Sequence, residues 1–132
     1  MSTQTKYYYG VGRRKASTAR AKYFPTEGEI EISVNKKAIS EYFHEFYKQT
    51  ILNGLGNMGI RAGKIELYVN GGGTMGQAEA ARLAIAKAVL KFDEGFRPIL
   101  RSFGYLSTDI RKVLPKRPGL RKARKREQWS KR

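Results

Sequence analysis

The chain has 132 residues, no cysteine, and 27 Lys and Arg against 11 Asp and Glu, for a formal charge of +16. That length holds one small domain, and the missing cysteines exclude a disulfide framework or thiolate metal site while fitting a reducing compartment. No apolar run approaches the roughly 18 residues of a membrane span, and the opening MSTQTKYYYG lacks the apolar stretch of a secretory signal, so neither a membrane nor an export route is expected.

Residues 1–5 are polar and read as loose. Tyr7, Tyr9 and Val11 alternate with Tyr8 and Gly10, which suits a strand, and Gly12-Arg13-Arg14-Lys15 reads as a basic turn. Alternation resumes from Ala16 to Phe24, with Ala19, Ala21 and Tyr23 on one face and Thr18, Arg20 and Lys22 on the other. Pro25-Thr26-Glu27-Gly28 signals a turn. A strand follows with Ile30, Ile32 and Val34 inward and Glu29, Glu31 and Ser33 outward, closed by Asn35-Lys36-Lys37.

Ile39, Tyr42, Phe43 and Phe46 lie at helical spacing and predict a helix over 38–47. Asn53 to Gly63 holds four glycines and reads as a flexible loop, after which Lys64 to Val69 alternates as a strand. Gly71-Gly72-Gly73 ends that strand, and Thr74 is the expected N-cap of a helix from Met75 to about Phe92. Its stripe is Ala78, Ala81, Ile85, Ala88, Val89 and Phe92, mostly alanine, which lets the helix lie close to a sheet. Leu83 and Leu90 suggest a second, smaller contact. Phe96, Ile99, Leu100 and Phe103 mark a short helix with Pro98 near its start and Gly104 at its stop. The elements predict an α+β two-layer sandwich, one sheet with helices packed on one face, over residues 1–110.

The apolar pattern ends after Asp109, and an extended basic C-terminal tail occupies residues 111–132. Those residues carry eleven Lys or Arg and one acid, Glu127. Such a segment repels itself, buries little, and does not fold alone. It makes sense against dense negative charge, for which nucleic-acid phosphate is the obvious candidate. Extended, it could reach roughly 70 Å, against a body whose radius of gyration is about 13 Å. Pro115 and Pro118 keep its first part out of helix. A helix over 120–129 would be ringed by charge, with no apolar face for a membrane surface. Threading between RNA segments suits cations on every side.

The glycine run before the long helix leaves two readings open, a tight structural turn or a phosphate contact; it is neither a Walker loop nor a dinucleotide fingerprint. Catalysis has little support. His44 sits among aromatics, Ser17 has no base nearby in sequence, and no His or Cys cluster could hold zinc. No cofactor and no small-molecule substrate are expected.

Three blocks carry a family resemblance: GRRKASTAR from Gly12, GGGTMGQAEAARLAIAKAV from Gly71, and GLRKARKREQWSKR from Gly119. Together with their order and spacing they resemble the small-subunit ribosomal protein of family nine, bacterial type, over nearly the whole chain. The resemblance implies a structural constituent of the small-subunit head, in the cytoplasm or in an organelle ribosome, beside neighbouring head proteins. Arg13, Arg14, Lys15 and Arg20 would grip ribosomal RNA from the body. Arg111, Lys112, Lys116, Arg117, Arg121, Lys122, Arg124, Lys125 and Arg126 would line the tail's route through it. Ser130, Lys131 and Arg132 would meet the anticodon stem-loop of the peptidyl-site tRNA. The chain departs from the family pattern at Ala84, where glycine is common, at Trp129, where phenylalanine is commoner, and over Asn53–Gly63. Two rival readings are a free-standing RNA chaperone and a small phosphotransferase using the glycine run.

Overall fold

The computed structural model describes residues 6–131. The reading of residues 1–5 as loose, and the tRNA contact assigned to Arg132, therefore fall outside the described residues. Five strands form one sheet: β1 (Tyr8–Arg14), β2 (Ser17–Phe24), β3 (Glu31–Val34), β4 (Lys37–Ala38) and β5 (Lys64–Asn70), in the order β1-β2-β5-β3-β4. β5 runs antiparallel to β2 and parallel to β3, so a crossover must join β3 to β5. That crossover contains α1 (Ile39–Tyr42) and α2 (Glu45–Met58). The long helix α3 (Thr74–Phe92) follows β5 and lies against β1 and β2; a 3-10 turn at Glu94–Phe96 then leads into α4 (Arg97–Ser102). The α+β sandwich with helices on one face is the architecture that the alternation predicts.

The inner face carries Ala19, Ala21 and Tyr23 from β2, Ile32 and Val34 from β3, and Ile65, Leu67 and Val69 from β5, all buried. Asn35 ties the sheet's centre. Its amide donates to the Val69 carbonyl at 3.1 Å, and its Oδ1 accepts from the Val69 N–H at 3.0 Å. Burial raises the Tyr23 phenol above its ordinary pKa while its hydroxyl donates to Ala62 O at 3.0 Å.

Four expectations change. β1 runs to Arg14, so the predicted basic turn is strand, and the β1–β2 link is only Lys15-Ala16, with Lys15 at φ +53°. A two-residue hairpin needs such positive φ to match the strands' twist. The predicted helix over 38–47 is broken: Phe43 and His44 are extended, which lets the Phe43 ring turn into the core while Phe46 on α2 is left 64% exposed. Asn53–Gly63 is no loop in its first half. α2 runs through it to Met58, because Ile51, Leu55 and Met58 bury one face and outweigh the helical penalty of about 1 kcal/mol per glycine. It stops at Gly59, φ +77°, with Gly59 N–H bonded to Gly56 O and Ile60 N–H to Leu55 O, a Schellman cap. Thr74 is the first residue of α3 rather than its cap; Gly73 holds the N-cap position without a side-chain bond.

α3 is buried on more than the predicted stripe. Ala80, Leu83, Ala84 and Ala86 are buried as well. Phe92 is the exception, 41% exposed, with its ring edge-on to Tyr8 and Tyr23 at the sheet margin. Among the described residues no helix lies on the outer face of the sheet; its β1 and β2 positions are Tyr9, Val11 and Arg13, and Thr18, Arg20 and Lys22.

Candidate nucleic-acid interface

The tail leaves the body through a built junction. α4 ends at Ser102, Gly104 follows at φ +73°, and Tyr105 N–H bonds to Leu100 O at 3.0 Å, with both side chains buried. The Tyr105 hydroxyl accepts from Asn57 Nδ2 at 2.8 Å, and the Arg82 guanidinium lies 4.8 Å from its ring centroid. These contacts tie the residues preceding the tail to α2 and α3 at once.

Arg14 completes the junction. Its Nε donates to Glu79 Oε2 on α3 at 2.7 Å, and its Nη1 donates to the Arg111 carbonyl at 3.2 Å and lies 3.4 Å from Asp109 Oδ2. The side chain is only 14% exposed. The charge of Arg14, expected to grip RNA, is balanced by two carboxylates of its own chain. Arg111 likewise turns back, placing its guanidinium fork on Asp109 with Nη2 to Oδ2 at 2.7 Å, and its backbone N–H also bonds to Asp109. It remains well exposed. Both arginines thus pair with acids of their own chain at the point where the tail departs.

Asp109 is held well below the usual carboxylate range, first by Arg111's side-chain hydrogen bonds, then by its backbone N–H, with the charge of Arg14 adding to both. Arg111 is raised in turn by the same pair. A carboxylate with a depressed folded-state pKa contributes stability above its unfolded value of about 3.9, lost only as pH falls through the lower folded value. The junction should therefore survive mild acid. Titrating the Asp109 carboxyl by NMR is expected to give a midpoint well below that of an ordinary aspartate; an ordinary midpoint would mean that the Asp109–Arg111 pair is not formed in solution.

The other predicted body residues point outward. Arg13 and Arg20 are exposed on the open sheet face and Lys15 is exposed at the hairpin tip. Lys87 of α3 shares a recess with Arg13, Val11 and Thr108, and extends the basic margin. Sequence reading missed Lys87, although a lone cation within the mainly apolar 83–90 run of the predicted helix was a usable signal.

The tail itself has no helix or strand from residue 107 to 131, so the helix considered over 120–129 does not form. Arg117-Pro118-Gly119-Leu120 makes a turn, with Gly119 at φ +80° and Leu120 N–H bonded to Arg117 O at 3.3 Å. Lys112, Lys116, Arg117, Arg121, Lys122, Arg124, Lys125, Arg126, Ser130 and Lys131 are all exposed, as is Trp129. Beyond Arg111, the tail's ion pair among the described residues is Arg121–Glu127 at 3.9 Å, long and solvated.

The glycine run resolves toward structure. A Cβ on Gly72 would overlap the Ser17 hydroxyl, and Ser17, buried, donates to Gly71 O at 3.1 Å. Gln77 Nε2 also donates to Gly71 O, at 3.0 Å, while its Oε1 accepts from the Tyr42 hydroxyl. The run is thus packed against the β1–β2 hairpin and tied to α1. His44 is exposed at the start of α2, and among the described residues no group of His, Asp or Glu is placed to hold a metal ion. No described helix is long and apolar enough to cross a membrane.

A family model described as ribosomal protein S9/S16 matches residues 12–132. The match takes in the hairpin from Gly12 on, the glycine run with α3, the Arg14–Asp109 junction and the whole tail. The chain belongs to that family, and is a structural, RNA-binding protein of the small ribosomal subunit rather than an enzyme.

Proposed function

We propose that the body docks on small-subunit ribosomal RNA in the head of the cytoplasmic ribosome, beside other head proteins, and that the tail carries charge through the RNA to the peptidyl-site tRNA. Arg13, Lys15 and Arg20 serve the body contact. Lys112, Lys116, Arg117, Arg121, Lys122, Arg124, Lys125 and Arg126 neutralise phosphates along the tail, while Arg14 and Arg111 act one step back by fixing where it departs. The last residues, Ser130, Lys131 and Arg132, meet the anticodon stem-loop.

The observation that carries this reading is the tail's charge distribution. Its described cations are all exposed, and among the described residues only Arg111 and Arg121 have an acid partner. Polynucleotide wrapped around the strand satisfies such an arrangement; a flat acidic surface would leave much of it unpaired. Phosphate contacts carry no base information, as a site serving every tRNA requires. Deleting Ser130-Lys131-Arg132 is expected to leave subunit assembly intact and to speed tRNA dissociation from the peptidyl site. Unchanged dissociation from otherwise normal subunits would remove the tRNA role.

A further inference from the structure

We propose that the open outer face of the sheet is a stacking platform for an unpaired segment of RNA, with Tyr9 and Tyr68 taking bases and Arg20 and Lys22 taking the phosphates between them. This deepens the ribosomal-RNA docking reading and rests on it.

The juxtaposition follows from register. Tyr9 on β1 lies opposite Lys22 on β2, and Tyr68 on β5 lies opposite Arg20 on β2. Outer-face tyrosines thus flank a central strand that carries Arg20 and Lys22 at successive outer positions, with Glu66 of β5 opposite Lys22. Neighbouring strands stand about 4.8 Å apart, so the tyrosine-bearing strands are separated by roughly 10 Å, room for bases on either side of a backbone running over β2. The cations already lie against the rings: Arg20 is 5.8 Å from the Tyr68 centroid, and Lys22 is 5.8 Å from Tyr68 and 5.0 Å from Tyr7. Tyr7 and Tyr9 are 47% and 37% exposed, and no described helix covers this face.

Two features select unpaired RNA as the occupant. A protein-docking core is depleted in charge, lysine especially, whereas here Lys and Arg occupy the middle strand. A duplex offers a flat sheet its phosphates and sugars and keeps its bases stacked internally, which would leave the tyrosine rings without a role. Aromatic rings interleaved with cations match single-stranded nucleic acid, since every base has a π-face and every linkage a charge.

The test uses the full chain at cellular salt, a short labelled single-stranded RNA without self-complementarity, and an RNA duplex of equal length. The Tyr9→Thr/Tyr68→Thr chain keeps strand-forming residues at both sites and is expected to lose about tenfold or more in affinity for the single strand. Its affinity for the duplex should not change, and Tyr9→Phe/Tyr68→Phe should bind the single strand like the parent. Equal losses on both RNAs, or no loss on the single strand, would overturn the platform while leaving RNA docking in place. Failure of the parent chain to bind either RNA would instead remove the reading on which the platform rests. Should the threonine chain not fold, the parent can be photocrosslinked to 4-thiouridine RNA. Adducts on the peptides holding Tyr9 and Tyr68 support the platform. Adducts confined to the tail, or protection of both tyrosines in the assembled subunit by a protein with no RNA adduct, overturn it.

Discussion

Replacing Gly12 with alanine is expected to destabilise the body by about 3 kcal/mol, the upper end of what overpacking a core usually costs. A Cβ there would run into the carbonyl oxygen of Ala80 and come within 2.6 Å of the Ala84 amide nitrogen. Gly10 faces the next turn of α3 in the same way, toward Ala84 O and with Ala88 N at 2.6 Å. Both obstacles are helix backbone, which cannot rotate aside as a side chain can, so relief requires lifting β1 off α3. That separation would also open the space under Ala80, Ala84 and Ala88, all fully buried. For a domain with about 5–15 kcal/mol in total, a loss of this size is a large fraction, and the Gly10→Ala/Gly12→Ala chain should not fold. Urea unfolding provides the measurement. With slopes of about 1–3 kcal/mol/M, the Gly12→Ala midpoint should fall by roughly 1–3 M. Gly56 supplies the opposite sign: it is exposed in the last turn of α2 with nothing within 4 Å of an added Cβ. Gly56→Ala should therefore stabilise by up to about 1 kcal/mol through helix propensity. Equal, small effects at Gly12 and Gly56 would show that β1 does not sit on α3 as described.

Cutting the chain after Arg111 is expected to leave folding unchanged and to flatten the salt dependence of ribosomal-RNA binding. The cut keeps Asp109 and Arg111, and with them the ion-paired junction, while removing Lys112 to Arg132, ten of the chain's 27 Lys and Arg. None of the buried core residues lies beyond Tyr105, so thermal unfolding should superimpose on that of the full chain. Each neutralised phosphate contributes about 0.7 to the slope of log affinity against log salt on single strands, so the slope should become shallower by up to about 7. The loss in affinity should be greatest at low salt and shrink as salt rises, the mark of released counterions rather than lost shape. Binding by the full and cut chains with equal slopes would mean that the tail's cations do not face phosphate.

The large division of the molecule could be read directly from the residues. Period-two alternation in 7–11, 16–24, 30–34 and 64–69 marked four strands, and the alanine-rich stripe after Gly73 marked the long helix and its close approach to the sheet. The charge run after Asp109 marked the tail. Glycine misled twice, in opposite directions. In Asn53–Gly63 it suggested a loop, yet Gly54 and Gly56 lie inside α2, because burial of Ile51, Leu55 and Met58 is a tertiary gain that local propensity does not contain. In β1, Gly12 read as the start of a turn, yet it and Gly10 lie in the strand where the helix backbone comes closest. At the candidate interface, Arg13, Lys15, Arg20 and the tail cations are exposed as their composition suggested, while Arg14, identical in type to its neighbour, is turned inward.

Charge density and hydrophobic period act along the chain, so the residues alone specify a small α+β body, a basic tail with little to bury, and an RNA partner. Which glycines bear a helix, which arginine spends its charge on Glu79 and Asp109, and which tyrosines line one open face depend on residues as far apart as 14 and 109, or 9 and 68. Strand register and the seating of α3 on β1 set those distances, and nothing local in the sequence encodes them.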